Sequence, residues 1–188
     1  MRIQTLTTVL IVVSALVVDA VCADEWSEAE KKIVRLDPIM FNELPSEIVE
    51  ELKAQKCTVP QTFENSKPHN VISGAFSEKN QKDWAILCSR DGVSTIKIFW
   101  GGAVRCPSEI SESKDHGWLQ GIGNNKIGYS RAIGPARKKT ILEDHKVYGG
   151  PTPPPISHDG IDDSFLDKTS VVHYCSNGKW IALAFGTD

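Results

Sequence analysis

The chain has 188 residues, with 21 basic and 24 acidic side chains and a formal net charge of −3. That balance offers no electrostatic footprint for nucleic acid or for an anionic membrane surface. The length suits one domain with a real core, and beyond the first eighteen residues no apolar run approaches a membrane span.

Residues 1–23 read as a secretory signal peptide. Arg2 precedes an apolar stretch that ends at Val21-Cys22-Ala23, with small residues at the −3 and −1 positions of a cleavage after Ala23. A retained anchor is the duller reading, since the run is short and Asp19 interrupts its end. A lipid anchor on Cys22 is opposed by the charge and bulk of Asp19-Ala20-Val21. The expected mature unit is a single α+β domain over 24–188, secreted or periplasmic, with no membrane attachment after cleavage.

The mature chain keeps Cys57, Cys88, Cys106 and Cys175. An even number in an exported chain points to two disulfides. No C-x2-C or H-x3-H pair supports zinc instead. Loop-closure entropy favours the short pairing, Cys57–Cys88 with Cys106–Cys175, over the crossed ones.

In chain order, Ser27 to Leu36 predicts a helix with Ile33, Val34 and Leu36 on its apolar side, stopped by Asp37-Pro38. Pro45 and Glu47 open a second helix, where the first turn favours both, with Ile48, Val49 and Leu52 as its buried stripe. Gln61 to Asn70 reads as loop, and Val71 to Phe76 as a short strand. Asp83 to Trp100 is the strongest local signal: two apolar-rich runs flank Asp91-Gly92, the dipeptide of a type I′ hairpin. That turn sets Leu87 opposite Ile96 and Ala85 opposite Ile98, with Trp84, Ile86 and Cys88 on the other face. Both faces are largely apolar, so the hairpin is expected inside a sheet covered on each side.

Cys106 to Asp115 reads as irregular. Trp118 to Tyr129 has glycines at 121, 123 and 128 but neither G-K-S/T nor G-x-G-x-x-G, so it predicts two short strands around Asn124-Asn125. Ala136 to Tyr148 is ambiguous between helix and strand. Gly149 to Pro155 predicts a stiff extended connection. Ser170 to Phe185 forms a second hairpin around Asn177-Gly178, again with Cys-Ser before the turn, and Ile161 to Phe165 echoes Ile72 to Phe76. The pattern reads as a degenerate internal duplication. The expected fold is α+β: two N-terminal helices packed on an antiparallel sheet built from the two hairpins.

Gly74-Ala-Phe-Ser-Glu-Lys-Asn-Gln-Lys-Asp-Trp-Ala85 resembles the FG-GAP or VCBS repeat, whose consensus is G-D-F-N-G-D-G-x-x-D-L-A. Gly74, Phe76, Asp83 and Ala85 match, and Trp84 takes the leucine place. The family's calcium positions are Ala75, Ser77 and Lys79 here, and a methyl group or an ammonium supplies no oxygen ligand. The resemblance therefore implies a β-sheet lead-in without calcium. The D-W-A-x-L-C-S strand is also similar to that of uncharacterised exported bacterial proteins of this size, a likeness that implies no activity.

His69, His116, His145, His158 and His173 lie singly, without the i, i+2 or i, i+4 spacing of metal pairs. His158, Asp159, Asp162 and Asp163 form the densest polar cluster, suited to a divalent cation or to acid–base work. It lacks the D-x-D-x-D-G order of a calcium loop, and an Asp-rich turn is the blander account. No G-x-S-x-G esterase elbow occurs, and no cofactor motif. The sequence favours a non-catalytic exported binding protein, with an unidentified protein or small molecule as partner and Trp118–Tyr129 and the proline-rich segment as its recognition surface. The alternatives are a hydrolase or metal-dependent enzyme using His158, Asp162 and Asp163, and an enzyme inhibitor.

Overall fold

The two Gly-turned hairpins decide the architecture. The computed structural model describes residues 25–186, with side chains through residue 183. The expected signal peptide lies outside these residues. Helix α1 covers 25–31, α2 is Ser46–Ala54 and α3 is Lys138–Tyr148. The strands are β1 (Arg35–Leu36), β2 (Val59–Pro60), β3 (Val71–Gly74), β4 (Asp83–Arg90), β5 (Val93–Phe99), β6 (Glu109–Lys114), β7 (Leu119–Gly121), β8 (Ile127–Tyr129), β9 (Arg131–Ala136), β10 (Gly160–Phe165), β11 (Thr169–Ser176) and β12 (Lys179–Gly186). They form two four-stranded antiparallel meanders, β3-β4-β5-β6 and β9-β10-β11-β12, and two small pairs, β1-β2 and β7-β8.

Both hairpin tips are type I′ turns. Asp91 and Gly92 have φ of 52° and 77°, and Asn177 and Gly178 have 52° and 79°. The first tip sets the expected register, Leu87 opposite Ile96 and Ala85 opposite Ile98. Those four side chains join Ile133 of β9 and Ile161 of β10 in the central core, so the inner faces of the two meanders pack on each other. The outer face of the first meander, with Trp84, Ile86 and Cys88, is covered by Leu52 of α2 and by Phe41 and Leu44. The outer face of the second, with Val172, Tyr174 and Leu183, is covered by Ile141 of α3 and by Ile156, where the proline-rich segment re-enters the fold. The order of layers is helix, sheet, sheet, helix.

The α+β expectation of two N-terminal helices on one sheet is corrected by this arrangement. The described residues are mostly β, with four antiparallel sheets among them, and the helix covering the second meander comes from the later part of the chain. The predicted first helix stops at residue 31. Val34, placed in its buried stripe, is 59% exposed, and Arg35–Leu36 leave as β1 to pair with β2. The β-branched pair Ile33-Val34 gives a helix little intrinsic support, and a competing strand partner overrides it. Residues 136–148 divide: Ala136 ends β9, and α3 begins at Lys138. Glu109 to Lys114, read as irregular, is β6. Its single apolar residue, Ile110, gave no period-two signal, because this edge strand buries little.

Cys57 is bonded to Cys88 and Cys106 to Cys175. The first bond fastens the end of α2 to β4. The second fastens the β5–β6 connection to β11 and so closes one side of the sandwich. Beside it Trp100 and Trp180 stack at 6.0 Å, and their indole N–H groups donate to Ser108 Oγ and the Pro107 carbonyl. At the opposite side Asn70 stitches β3 to β9. Its amide donates to the Arg131 carbonyl at 3.1 Å, and its oxygen accepts the Ile133 N–H at 2.9 Å.

Candidate functional site

A sandwich interior is expected to be apolar, and here it is crossed by charge. Arg131, the first residue of β9, is fully buried. Burying an unpaired guanidinium is costly, so each of its donors needs an acceptor. Nε and Nη2 make a bidentate pair with Asp163 of β10 at 2.9 and 2.8 Å. Nη2 also reaches the carbonyl and hydroxyl of Ser111 at 2.6 and 2.8 Å, and Nη1 reaches Ser113 Oγ at 3.1 Å and the Ser94 carbonyl at 3.3 Å. The Trp118 ring covers the guanidinium at 4.6 Å, a cation–π contact.

Ser111 makes this cage fit. Its φ of 56° is left-handed, uncommon outside glycine, and it lies in β6 at a shift of register against β5. The bulge turns both the Ser111 carbonyl and its hydroxyl toward the Arg131–Asp163 pair, and Ser111 Oγ donates to Asp163 at 2.6 Å. On the far side of Asp163 stands His173 of β11. Its Nε2 is 3.7 Å from Asp163 Oδ2, too long for a hydrogen bond, and among the described residues this buried nitrogen has no hydrogen-bond partner. Burial alone pushes the Asp163 carboxyl up. The bidentate Arg131 and the Ser111 hydroxyl outweigh it and hold the group below its ordinary value, at about 2.

A second buried pair continues the line. Asp115, fully buried after β6, accepts from Arg35 Nη2 at 2.7 Å and from Ser89 Oγ at 2.5 Å. It also accepts from Ser94 Oγ. Burial and the nearby Asp115 carboxylate push the Tyr129 hydroxyl up, so it stays protonated within 3.4 Å of Ser94 Oγ. Ser94 joins the two pairs, its hydroxyl on Asp115 and its carbonyl on Arg131. The result is one polar seam, Arg35–Asp115–Ser94–Arg131–Asp163, in which two cations and two anions cancel.

At its Arg35 end the seam reaches the surface. Arg35 forms part of an open cleft of about 550 Å³, whose walls include Glu30, Lys56, Thr58, Arg90 and Asp91. Among the described residues Lys56 and Arg90 make no ion pair. Chemically, the seam's serines donate their protons to carboxylates, and no hydroxyl in it is set against an imidazole. Such a network fixes two sheets against each other and presents charge of both signs at one end.

The sequence cluster at 158–163 is taken apart by strand geometry. Neighbours in a strand point to opposite faces, so Asp163 enters the seam while Asp162 faces α3. There it accepts from Ser164 Oγ and Ser170 Oγ, and it helps to push Asp144 up, after burial and together with Glu143. Asp159 accepts the Ala75 N–H at 3.2 Å and ties β10 to the end of β3. His158 stacks on Tyr174 at 4.3 Å. Among the described residues no group of three or more His, Cys, Asp or Glu is placed to hold a metal ion. His69, read as an isolated histidine, clamps its own loop: Nε2 accepts the Thr62 N–H at 2.8 Å, which leaves Nδ1 to donate to the Lys67 carbonyl at 3.0 Å.

Of the two expected recognition segments, Trp118–Tyr129 forms the β7-β8 hairpin around Asn124 and Asn125, both at positive φ. Trp118 itself is turned inward onto Arg131 and Phe165. Pro151, Thr152 and Pro155 remain exposed. In the stretch with the FG-GAP-like pattern, Asp83 organises the loop. It accepts the N–H groups of Phe76 and Gly101 and the side-chain amide of Gln81 at 2.9, 3.0 and 2.6 Å. Arg35, Ser94, Ser111, Asp115 and Arg131 escaped the sequence reading. Only Arg131 carried a signal, as a charge opening an apolar run.

Two disulfides hold the fold, and among the described residues no helix is long and apolar enough to cross a membrane. No family model matches the chain, and neither a curated protein nor a solved structure matches it.

Proposed function

We propose that this chain works in an oxidising compartment outside the cytoplasm as a non-catalytic binding protein, and that its charged cleft beside Arg35 is the contact surface. The observation that carries this reading is the seam. Its ionisable groups are paired with one another, with Asp115, Arg131 and Asp163 buried and Arg35 alone reaching the cleft, so they brace a surface and leave no nucleophile–base pair of the seam open to solvent. Two disulfides favour an oxidising compartment. The cleft walls carry Lys56, Arg90, Glu30 and Asp91, a mixed-charge rim suited to a polar partner segment and to discrimination by charge.

The test captures partners with the immobilised disulfide-bonded protein and maps the contact by hydrogen exchange. A partner that protects residues 56–58 and 89–92, and is released by the Lys56→Glu, Arg90→Glu double variant, supports the reading. Turnover in a panel of hydrolase substrates that Asp162→Ala or His158→Ala abolishes would overturn it.

A further inference from the structure

Two four-stranded sheets have four edges, and an open edge is a row of unpaired backbone groups that other strands can use. Three of the four are protected. β3 and β9 lie side by side, with Asn70 occupying the Arg131 carbonyl and the Ile133 N–H of β9. β6 is broken by the Ser111 bulge and carries Glu109, Glu112 and Lys114. The fourth, β12, has none of these devices. It pairs with β11 over eight consecutive residues without a bulge, and its one charged residue is Lys179 at its start.

The direction of its free groups follows from the turn. A two-residue I′ turn makes the closing pair Ser176–Lys179 a hydrogen-bonded pair, and bonded pairs then alternate at Tyr174–Ile181 and Val172–Leu183. The N–H and C=O groups of Trp180, Ala182, Ala184 and Gly186 therefore point away from β11. Among the described residues none of them makes a backbone hydrogen bond outside the ladder. Ala182, near the middle of the strand, is exposed.

We infer that β12 is an interface for a second copy of this chain, joined strand to strand and antiparallel into an eight-stranded sheet. Charge selects this occupant. With Lys179 at the first position, an antiparallel pair sets the two ammonium groups at opposite ends of the seam, roughly 24 Å apart at about 3.4 Å per residue. A parallel pair would oppose them, and the β6 edge of another copy is blocked by its bulge. A small residue at the centre lets the two edges approach, and pairing of the same strand about a two-fold axis closes without growing into a filament. This interface does not involve the cleft, so it stands apart from the proposed binding role. An edge of eight residues is smaller than a standard interface of about 1,200 Å² or more, so the association is expected to be weak and to depend on concentration.

Sedimentation equilibrium of the disulfide-bonded protein from about 1 to about 300 µM reads this directly, because association follows mass action. The wild type is expected to pass from one chain's mass to two, with exchange protection confined to the amides of 180, 182, 184 and 186. Ala182→Pro removes an outward N–H and no ladder bond, and Ala182→Lys adds a central charge to the edge. Both are expected to stay monomeric at every concentration, with the unfolding midpoint that the wild type shows at about 1 µM. A wild type that remains monomeric, a dimer that persists in Ala182→Lys, or protection located away from β12 would each overturn the inference.

Discussion

The two meanders share strand order, hairpin chemistry and a Cys-Ser pair close to the end of the strand entering the turn, yet they are stabilised differently. The first is apolar on both faces: Ala85, Leu87, Ile96 and Ile98 look into the sandwich, and Trp84 and Ile86 look out to α2. The second turns Arg131, Asp163 and His173 inward and keeps its apolar packing mainly for the α3 side. The difference separates two sources of stability. Apolar area tolerates small misplacements, whereas a buried ion pair holds the two sheets in one registry and is costly when either partner is lost.

The largest expected effect breaks the second meander alone. Arg131→Met leaves Asp163 buried and unpaired, and is expected to cost about 3–5 kcal/mol in denaturant unfolding. The same kind of core substitution in the first meander, Ile96→Val, is expected to cost only about 1 kcal/mol. Equal losses at the two sites would erase the distinction drawn here.

The first meander has its own dependence, on the bond to α2. The Cys57–Cys88 loop spans 31 residues. Replacing both cysteines by alanine is expected to destabilise by about 4 kcal/mol on loop-closure entropy. Because α2 covers Trp84, the same variant is expected to make Trp84 fluorescence more accessible to quencher. Unchanged quenching would show that α2 stays docked without the bond.

Acid sharpens the contrast. In the folded protein the Asp163 carboxyl is held at about 2, below its ordinary 3.8. A depressed carboxyl contributes stability that is fully present above its unfolded value and is lost as pH falls through its folded one. Roughly 2 kcal/mol of the second meander's stability should therefore disappear between about pH 4 and pH 2. The stability difference between wild type and Asp163→Asn is expected to shrink over that window, and a difference independent of pH would count against the pairing.

What the sequence revealed follows from range. Asp91-Gly92 and Asn177-Gly178 specify turns through their own φ preferences, so the hairpins and the 85–98 register were legible locally. The end of α1 was not legible, because Ile33-Val34 reads as amphipathic helix until β2 is known to be waiting for Arg35 and Leu36. The division of the cluster at 158–163 was not legible for a related reason: adjacency along a strand is opposition across a sheet, and Asp162 and Asp163 serve different faces. The seam was nearly invisible because residues 35, 94, 111, 115, 131 and 163 belong to six separate segments. Its geometry also depends on a left-handed serine that no local rule calls for.

The central claim is that Arg131 and Asp163 act as one neutral unit holding the two sheets together. A double-mutant cycle on unfolding free energy with Arg131→Met, Asp163→Leu and the combined variant tests it most directly. The account predicts a coupling of roughly 3 kcal/mol, with the double variant regaining most of the stability that either single variant loses, because the two replacements fill the site without leaving a buried charge. Losses that simply add would contradict it.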